Sequence, residues 1–273
     1  MLASGQRFGV MGKVRSRHLR VMTLNMHKGR SPLQVRSTVQ RLRQKIREHD
    51  ADLIFIQELQ QESARRSRRR AIGASPGLTQ YLAEGYWPEW QYGRNAVQLR
   101  SHHGNAILSQ HPLRRGENYD ISAYKFERRG LLHSVIQVRD DYGKAHPVHC
   151  FCVHLALFER GRARQLASIT AFIDELAGQA PAIVAGDFND WRNRVGSAMK
   201  ARGFQEVFET MTGSPARTFP SLQPMLPMDR IYVRGMRVHS AHTLTDWAHL
   251  SDHLGLTADI ELLGTDPQDS SAS

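Results

Sequence analysis

The stretch Ala182-Ile183-Val184-Ala185-Gly186-Asp187-Phe188-Asn189-Asp190-Trp191 constrains this chain more than any other. Four small or branched apolar residues predict a buried strand, and the glycine after them lets the backbone turn. A carboxylate and a carboxamide then emerge together at the strand end. Asp187 can offer a hard oxygen or accept a proton, while Asn189 can donate to a phosphate or hold a water without adding negative charge. Taken alone, Gly-Asp-x-Asn also fits a strand that closes in an Asx-type turn. The rest of the chain has to decide between the two.

Other strands deliver polar groups in the same way. Arg20 to Met26 reads as the first strand and runs into Asn25-Met26-His27-Lys28-Gly29. Ser31-Pro32 supplies an N-cap and a first helical position, and Val35, Val39, Leu42 and Ile46 recur at helical spacing to about His49. Leu53-Ile54-Phe55-Ile56 predicts a second buried strand that delivers Gln57 and Glu58, although a glutamate there also suits a helix-starting surface position. Leu78 to Tyr92, with Trp87-Pro88 and Trp90, reads as connecting structure over the core. A hairpin is expected around Asn95 to Leu99 and Asn105 to Ser109, turning at Gly104-Asn105.

Leu131 to Val138 alternates as a strand, and Asp140-Asp141-Tyr142-Gly143 turns the chain into Pro147 to Leu155. Cys150, Cys152 and His154 share one face of that strand. The two thiols stand about 6.6 Å apart along it, which suits a disulfide poorly, and three ligands on one straight strand diverge from a tetrahedral zinc. Packing as small apolar groups is the better reading. Phe158 to Gly178 carries Leu166, Ile169, Ile173 and Leu176 on one helical face, closed by Gly178 and followed by Pro181. A short helix near Val195 to Arg202 and a proline-rich connection lead to Met228-Asp229-Arg230-Ile231-Tyr232-Val233. Strands at Val238 to Leu244 and from Leu250-Ser251-Asp252-His253-Leu254-Gly255-Leu256 to near Leu262 complete the series. Strands and helices mix without strict βαβα alternation, which favours two packed sheets with helices outside.

Residues 1–19 read as a flexible basic arm, 20–264 as one domain and 265–273 as a disordered tail. The 37 Lys and Arg against 26 Asp and Glu give a net charge of +11. Such a field attracts polyanions, whether nucleic acid or an anionic membrane surface. Arg65, Arg66, Arg68, Arg69 and Arg70 are its densest part and fit either a solvated face or phosphate contact. No apolar run approaches the roughly 18 to 20 residues of a membrane span, and the first twenty residues lack the apolar core of a signal peptide. A cytoplasmic protein with reduced thiols is therefore expected. No protein partner can be read from the sequence.

Asn25, Glu58, His154, Asp187, Asn189, Asp229, Asp252 and His253 together have a chemical logic. Carboxylates at Glu58 and Asp252 can hold a hard divalent cation such as Mg²⁺, which keeps waters for a substrate phosphate to displace. An Asp-His pair such as Asp229 with His253 fixes the imidazole tautomer and helps it hold a proton near neutrality.

The ordered motifs Leu24-Asn25-Met26-His27-Lys28-Gly29, Ile56-Gln57-Glu58, Gly104-Asn105-Ala106-Ile107-Leu108-Ser109, Val153-His154-Leu155, Gly186-Asp187-Phe188-Asn189, Asp229-Arg230-Ile231-Tyr232 and Ser251-Asp252-His253 closely resemble the endonuclease/exonuclease/phosphatase superfamily. The match spans about residues 20 to 262. The resemblance implies an α+β fold, a four-layer α/β/β/α sandwich of two packed, mainly antiparallel sheets flanked by helices, as in the DNase I-like proteins. It also implies hydrolysis of a phosphoester with Mg²⁺ or Mn²⁺. By position, Glu58 resembles the principal metal ligand, supported by Asn25 and completed by Asp252. Asp187 and Asn189 would orient the attacking water and the phosphate, and His253 would be the catalytic imidazole oriented by Asp229. His154 matches a second histidine that contacts the phosphate or protonates the leaving oxygen.

Where the apurinic-endonuclease branch carries Tyr-x-Pro-Asn, this chain has Cys152-Val153-His154-Leu155, which argues against apurinic-site repair. The Val-His-Leu form resembles bacterial phosphodiesterase-like members and is shared with lipid-cleaving branches. Fold membership leaves the substrate open. The first expectation is a phosphodiester in nucleic acid, on the +11 charge and Arg65 to Arg70. The second is a small phosphoester or phospholipid head group, and the third a basic nucleic-acid-binding module without turnover.

Overall fold

Strands that are apolar on both faces must be covered on both faces, and this chain meets that demand by stacking two six-stranded sheets. The computed structural model describes residues 17–26, 32–62, 77–97 and 101–264. The first sheet comprises β1 (His18–Asn25), β2 (Leu53–Glu62), β3 (Glu89–Val97), β4 (Ser101–Ser109), β11 (Met236–Leu244) and β12 (Gly255–Leu262), in the order β11-β12-β1-β2-β4-β3. The second comprises β5 (Leu113–Asp120), β6 (Gly130–Arg139), β7 (Ala145–His154), β8 (Ala182–Asp187), β9 (Gln205–Glu206) and β10 (Asp229–Arg234), in the order β5-β6-β7-β8-β10-β9. Pairing is antiparallel except for β1 with β2 and β7 with β8.

Three apolar layers follow from the strand alternation. Val21, Phe55, Cys150, Cys152, Ile183 and Ile231 meet between the sheets. Met22, Leu24, Ile54 and Ile56 point outward from the first sheet and are covered by Val39, Leu42 and Ile46 of α1 (Pro32–Glu48) and Leu82 of α2 (Leu78–Ala83). Phe151, Val153, Val184 and Tyr232 point outward from the second. They are covered by Ile169 and Ile173 of α3 (Glu159–Ala177) and Met199 of α4 (Val195–Lys200). The result is the helix/sheet/sheet/helix sandwich. A last short helix, α5 (Val207–Thr212), sends Val207 and Phe208 into the inter-sheet core. Cys150 and Cys152 are free and buried, and burial pushes both thiols well above their usual range, as expected of small packing groups.

The structure departs from the sequence reading in three places. Strand β1 takes in His18 and Leu19, ahead of the strand start read at Arg20. Trp90 lies within β3 and not in a connection, and Gly104-Asn105 lies inside β4 and not at a turn. A Cβ on Gly104 would stand 1.9 Å from Gly93 O, so the glycine serves close approach of two strands. The segments 1–16, 27–31 and 265–273, and with them most of the arm and the tail, lie outside the described residues, as do Arg65, Arg66, Arg68, Arg69 and Arg70. Among the described residues no helix is long and apolar enough to cross a membrane.

Topology gathers the polar strand ends at one edge. Parallel pairing makes β1 and β2 end together, and the same holds for β7 and β8. Strand β10 runs against β8 and β12 against β1, so both begin where their neighbours end.

Candidate active site

Asp187 is the hub of that edge. Register sets it opposite His154 on one side and Asp229 on the other. Its Oδ2 accepts a hydrogen bond from Asn25 Nδ2 at 2.9 Å, with His154 Nε2 at 3.5 Å and His253 Nε2 at 4.0 Å. Its Oδ1 accepts from the Asn189 backbone N–H at 2.9 Å. Asn189 can do this because it adopts φ 49°, a left-handed conformation that asparagine tolerates better than most side chains. Its Nδ2 donates to Leu155 O at 3.0 Å, so the carboxamide fastens the β8 turn to the end of β7. Gly186 is needed just before, since a Cβ there would stand 2.0 Å from Val153 O.

His253 is held from behind. Its Nδ1 lies 2.8 Å from Asp229 Oδ2, and Thr218 Oγ1 donates to the same oxygen at 2.6 Å while accepting from Asp229 N at 3.3 Å. The Phe219 ring lies 5.0 Å from the imidazole, and Ser251 Oγ donates to Asn25 O, tying the His253 turn to the end of β1. Burial works against a charged imidazole, but Asp229, their shared hydrogen bond, Asp187 and Asp252 more than offset it and raise His253 to about 10. Asp187 moves the other way from a surface carboxylate. Burial and the charge of Asp229 push its affinity for a proton up, against His253 and the Asn189 and Asn25 donors.

Glu58 reaches the site through a bulge. The β2–β4 register slips between Ile56 and Leu59, and Glu58 adopts φ 55°. That inserts an extra residue, so Ile56 and Leu59 both join the outer core while Glu58 is aimed at the site edge. His154 Nε2 stands 3.8 Å from Glu58 Oε1 and so lies between the two carboxylates. Glu58, His154, Asn105, Phe126 and Arg129 line one cleft. Asn105 is fully buried there, its Nδ2 donating to Gly130 O and Cys152 O while Oδ1 has no hydrogen-bond partner.

Of the residues expected from sequence, Asn25, Glu58, His154, Asp187, Asn189, Asp229 and His253 are thus brought together. Asp252 sits beside them on the His253 turn, where its backbone O accepts from Ser221 N at 2.7 Å and its charge supports His253. Thr218 and Asn105 were missed as site residues. The proline-rich run gave no hint of Thr218, and Asn105 stood in a recognised motif without an assigned role.

The donor set fits a hard divalent cation. Glu58, Asp187 and Asp229 bring three carboxylates to a largely buried edge, and Asp229 Oδ1 is buried without a hydrogen-bond partner. Asp187, Asp229 and His253 present atoms within 4.8 Å of one another. An imidazole that stays protonated cannot ligate a cation, so the oxygens of Glu58 and Asn25 are the better donors for Mg²⁺ or Mn²⁺, with Asp187 beside them.

Comparison with known proteins bears on the family and the fold. The sequence profile of the Endonuclease/Exonuclease/phosphatase family matches residues 22–253. The protein YbhP of Escherichia coli strain K12, described as uncharacterized, is 40% identical over 248 residues, covering 89% of this chain and 96% of its own. An endonuclease/exonuclease/phosphatase from Beutenbergia cavernae superposes with a TM-score of 0.71 at 21% identity, over 91% of this chain and 72% of the other. TDP2 of D. rerio, solved with a single-strand DNA product, gives 0.63 at 18% identity, over 89% and 99%.

Proposed function

The chain belongs to the endonuclease/exonuclease/phosphatase family of phosphoester hydrolases, and on that premise we propose that it cleaves phosphodiesters at the Asp187 edge with Mg²⁺ or Mn²⁺. The observation that carries this reading is Asp187 itself, a buried carboxylate touched by Asn25 and flanked by the imidazoles of His154 and His253. A bound cation would offset charge on the phosphoryl oxygens, held by Glu58 and Asn25 with Asp187 nearby. Asp187, its proton affinity raised toward neutrality, takes the proton of the attacking water. His253, kept protonated by Asp229, donates to a phosphoryl oxygen. His154 stands at the leaving-group side, within reach of both Glu58 and Asp187.

Two substrate classes remain. Nucleic acid is supported by the arginines between Arg65 and Arg70 and by the single-strand DNA product held by D. rerio TDP2. A phospholipid head group is supported by apolar side chains exposed around the site. Purified protein incubated with plasmid, single-stranded DNA, RNA and anionic vesicles, with Mg²⁺ or Mn²⁺ and then with EDTA, tests the reading. Metal-dependent cleavage of one of them is expected, and cleavage of none would refute it.

A further inference from the structure

Scattered exposed apolar residues are ordinary, but here six of them gather on loops at the catalytic edge. Phe126 lines the cleft with Glu58 and His154 and is 80% exposed. Leu157 and Phe158 follow the end of β7, Trp191 follows Asn189, and Leu222 and Met225 follow Phe219 on the opposite lip. Tyr142 and Leu263, also exposed, lie at the far edge, and Met211 lies on α5. One lip is a continuous chain of contacts. Glu127 Oε1 accepts from Leu157 N and Arg129, Leu157 O accepts from Arg162, and the Arg162 guanidinium lies over the Trp191 ring at 4.6 Å. Exposed Lys125, Arg128, Arg160, Arg164 and Arg192 are interleaved with it.

Apolar side chains on both lips of the catalytic edge, interleaved with exposed cations, mark an interaction surface. Its chemistry favours a lipid surface over a strand of bases. Bases stack on open aromatic faces, whereas Trp191 has one face under Arg162 and Phe126 has one against Tyr124, 5.2 Å away and nearly parallel. Leu157, Leu222 and Met225 offer no ring at all, which leaves Phe158 as the one further exposed ring of the six. Short apolar side chains beside lysine and arginine are what an interfacial anchor presents to lipid tails and anionic head groups.

We infer that this face seats on an anionic phospholipid bilayer and that the phosphodiester entering the site belongs to a lipid head group, an inference that rests on the phosphodiesterase reading above. Two forms of contact are separable. Electrostatic attraction fades in high salt, where the screening length falls to about 3 Å, whereas insertion of Leu157, Phe158 and Leu222 does not.

The test uses the full chain with phosphatidylglycerol/phosphatidylcholine vesicles, phosphatidylcholine vesicles and single-stranded DNA. Expected is cosedimentation with the anionic vesicles that persists in high salt and drops about tenfold or more when Leu157→Ser, Phe158→Ser and Leu222→Ser are combined. Metal-dependent release of the water-soluble head group, glycerol phosphate or glycerol according to which P–O bond water opens, from the same vesicles should fall with it, and Leu222→Ser alone should show a smaller loss. Hydrolysis of soluble bis(4-nitrophenyl) phosphate by the triple variant should stay within about twofold of the parent. Vesicle binding that vanishes in high salt or ignores these substitutions overturns the inference, as does retention of DNA in place of vesicles through the same three residues. Soluble-diester turnover is read separately, so its absence in the parent strikes the catalytic reading and not the docking face.

Discussion

Asn25 at the end of β1 donates to Asp187 at the end of β8 at 2.9 Å, so a hydrogen bond between two site side chains ties one sheet to the other at the catalytic edge. The bond fixes the Asn25 carboxamide against the Asp187 carboxylate. Replacing it tests whether that alignment matters. Asn25→Ala should lower kcat/KM by about 100-fold or more, the usual scale for one positioned donor, with thermal stability nearly unchanged. Equal activity in the variant and the parent would remove Asn25 from the site.

The Thr218–Asp229–His253 chain carries a second prediction. Asp229→Asn removes the charge that keeps His253 protonated, and turnover should fall about 100- to 10,000-fold. The residual activity should decline as pH rises above about 7, where the parent, with Asp187 deprotonated and His253 still protonated, stays active, because His253 no longer sits near 10. Thr218→Val should show a weaker version of the same profile, and Thr218→Ser should restore it. Identical pH profiles for parent and Asp229→Asn would contradict the assignment.

Glu206 offers a prediction about stability alone. It caps α5 by accepting from Glu209 N at 2.7 Å, and burial lifts its carboxyl to about 7, only partly opposed by that N–H and by Arg230. The folded state therefore holds this proton more tightly than the unfolded chain, whose carboxyl titrates near 4.5. Stability from this group is full below that lower value and is lost as pH rises through about 7. Glu206→Gln keeps the acceptor and stays neutral, so its unfolding free energy from urea titration should fall less between about pH 5 and pH 8, by no more than about 3 kcal/mol. Parallel declines in the two proteins would show that Glu206 does not titrate in this window.

Much of this arrangement was legible in the chain. Runs such as Leu53-Ile54-Phe55-Ile56 and Ala182-Ile183-Val184-Ala185 announce strands buried on both faces, and their polar endings mark the edge where they stop. Strand β5 was not legible, because Arg114, Arg115, Glu117 and Asn118 show no apolar row and the strand is specified by pairing with β6. Gly104-Asn105 misled because Gly-Asn is a turn signal locally, whereas the glycine answers to Gly93 on the neighbouring strand. Asn105 and Thr218 act through Gly130 and Asp229, 25 and 11 residues away, and no local pattern encodes such partners. The bulge at Glu58 is likewise a product of β2–β4 pairing.

The central claim is that Asp187 works with a divalent cation to open a phosphodiester. It is tested most directly by following bis(4-nitrophenyl) phosphate hydrolysis by the parent and by Asp187→Asn, each with Mg²⁺ or Mn²⁺, after EDTA, and after restoring the cation. Turnover by the parent should stop with EDTA and return with the cation, and Asp187→Asn should be slower by about 1,000-fold or more while its circular dichroism is unchanged. Turnover that survives EDTA, or a folded Asp187→Asn variant as active as the parent, would contradict the account.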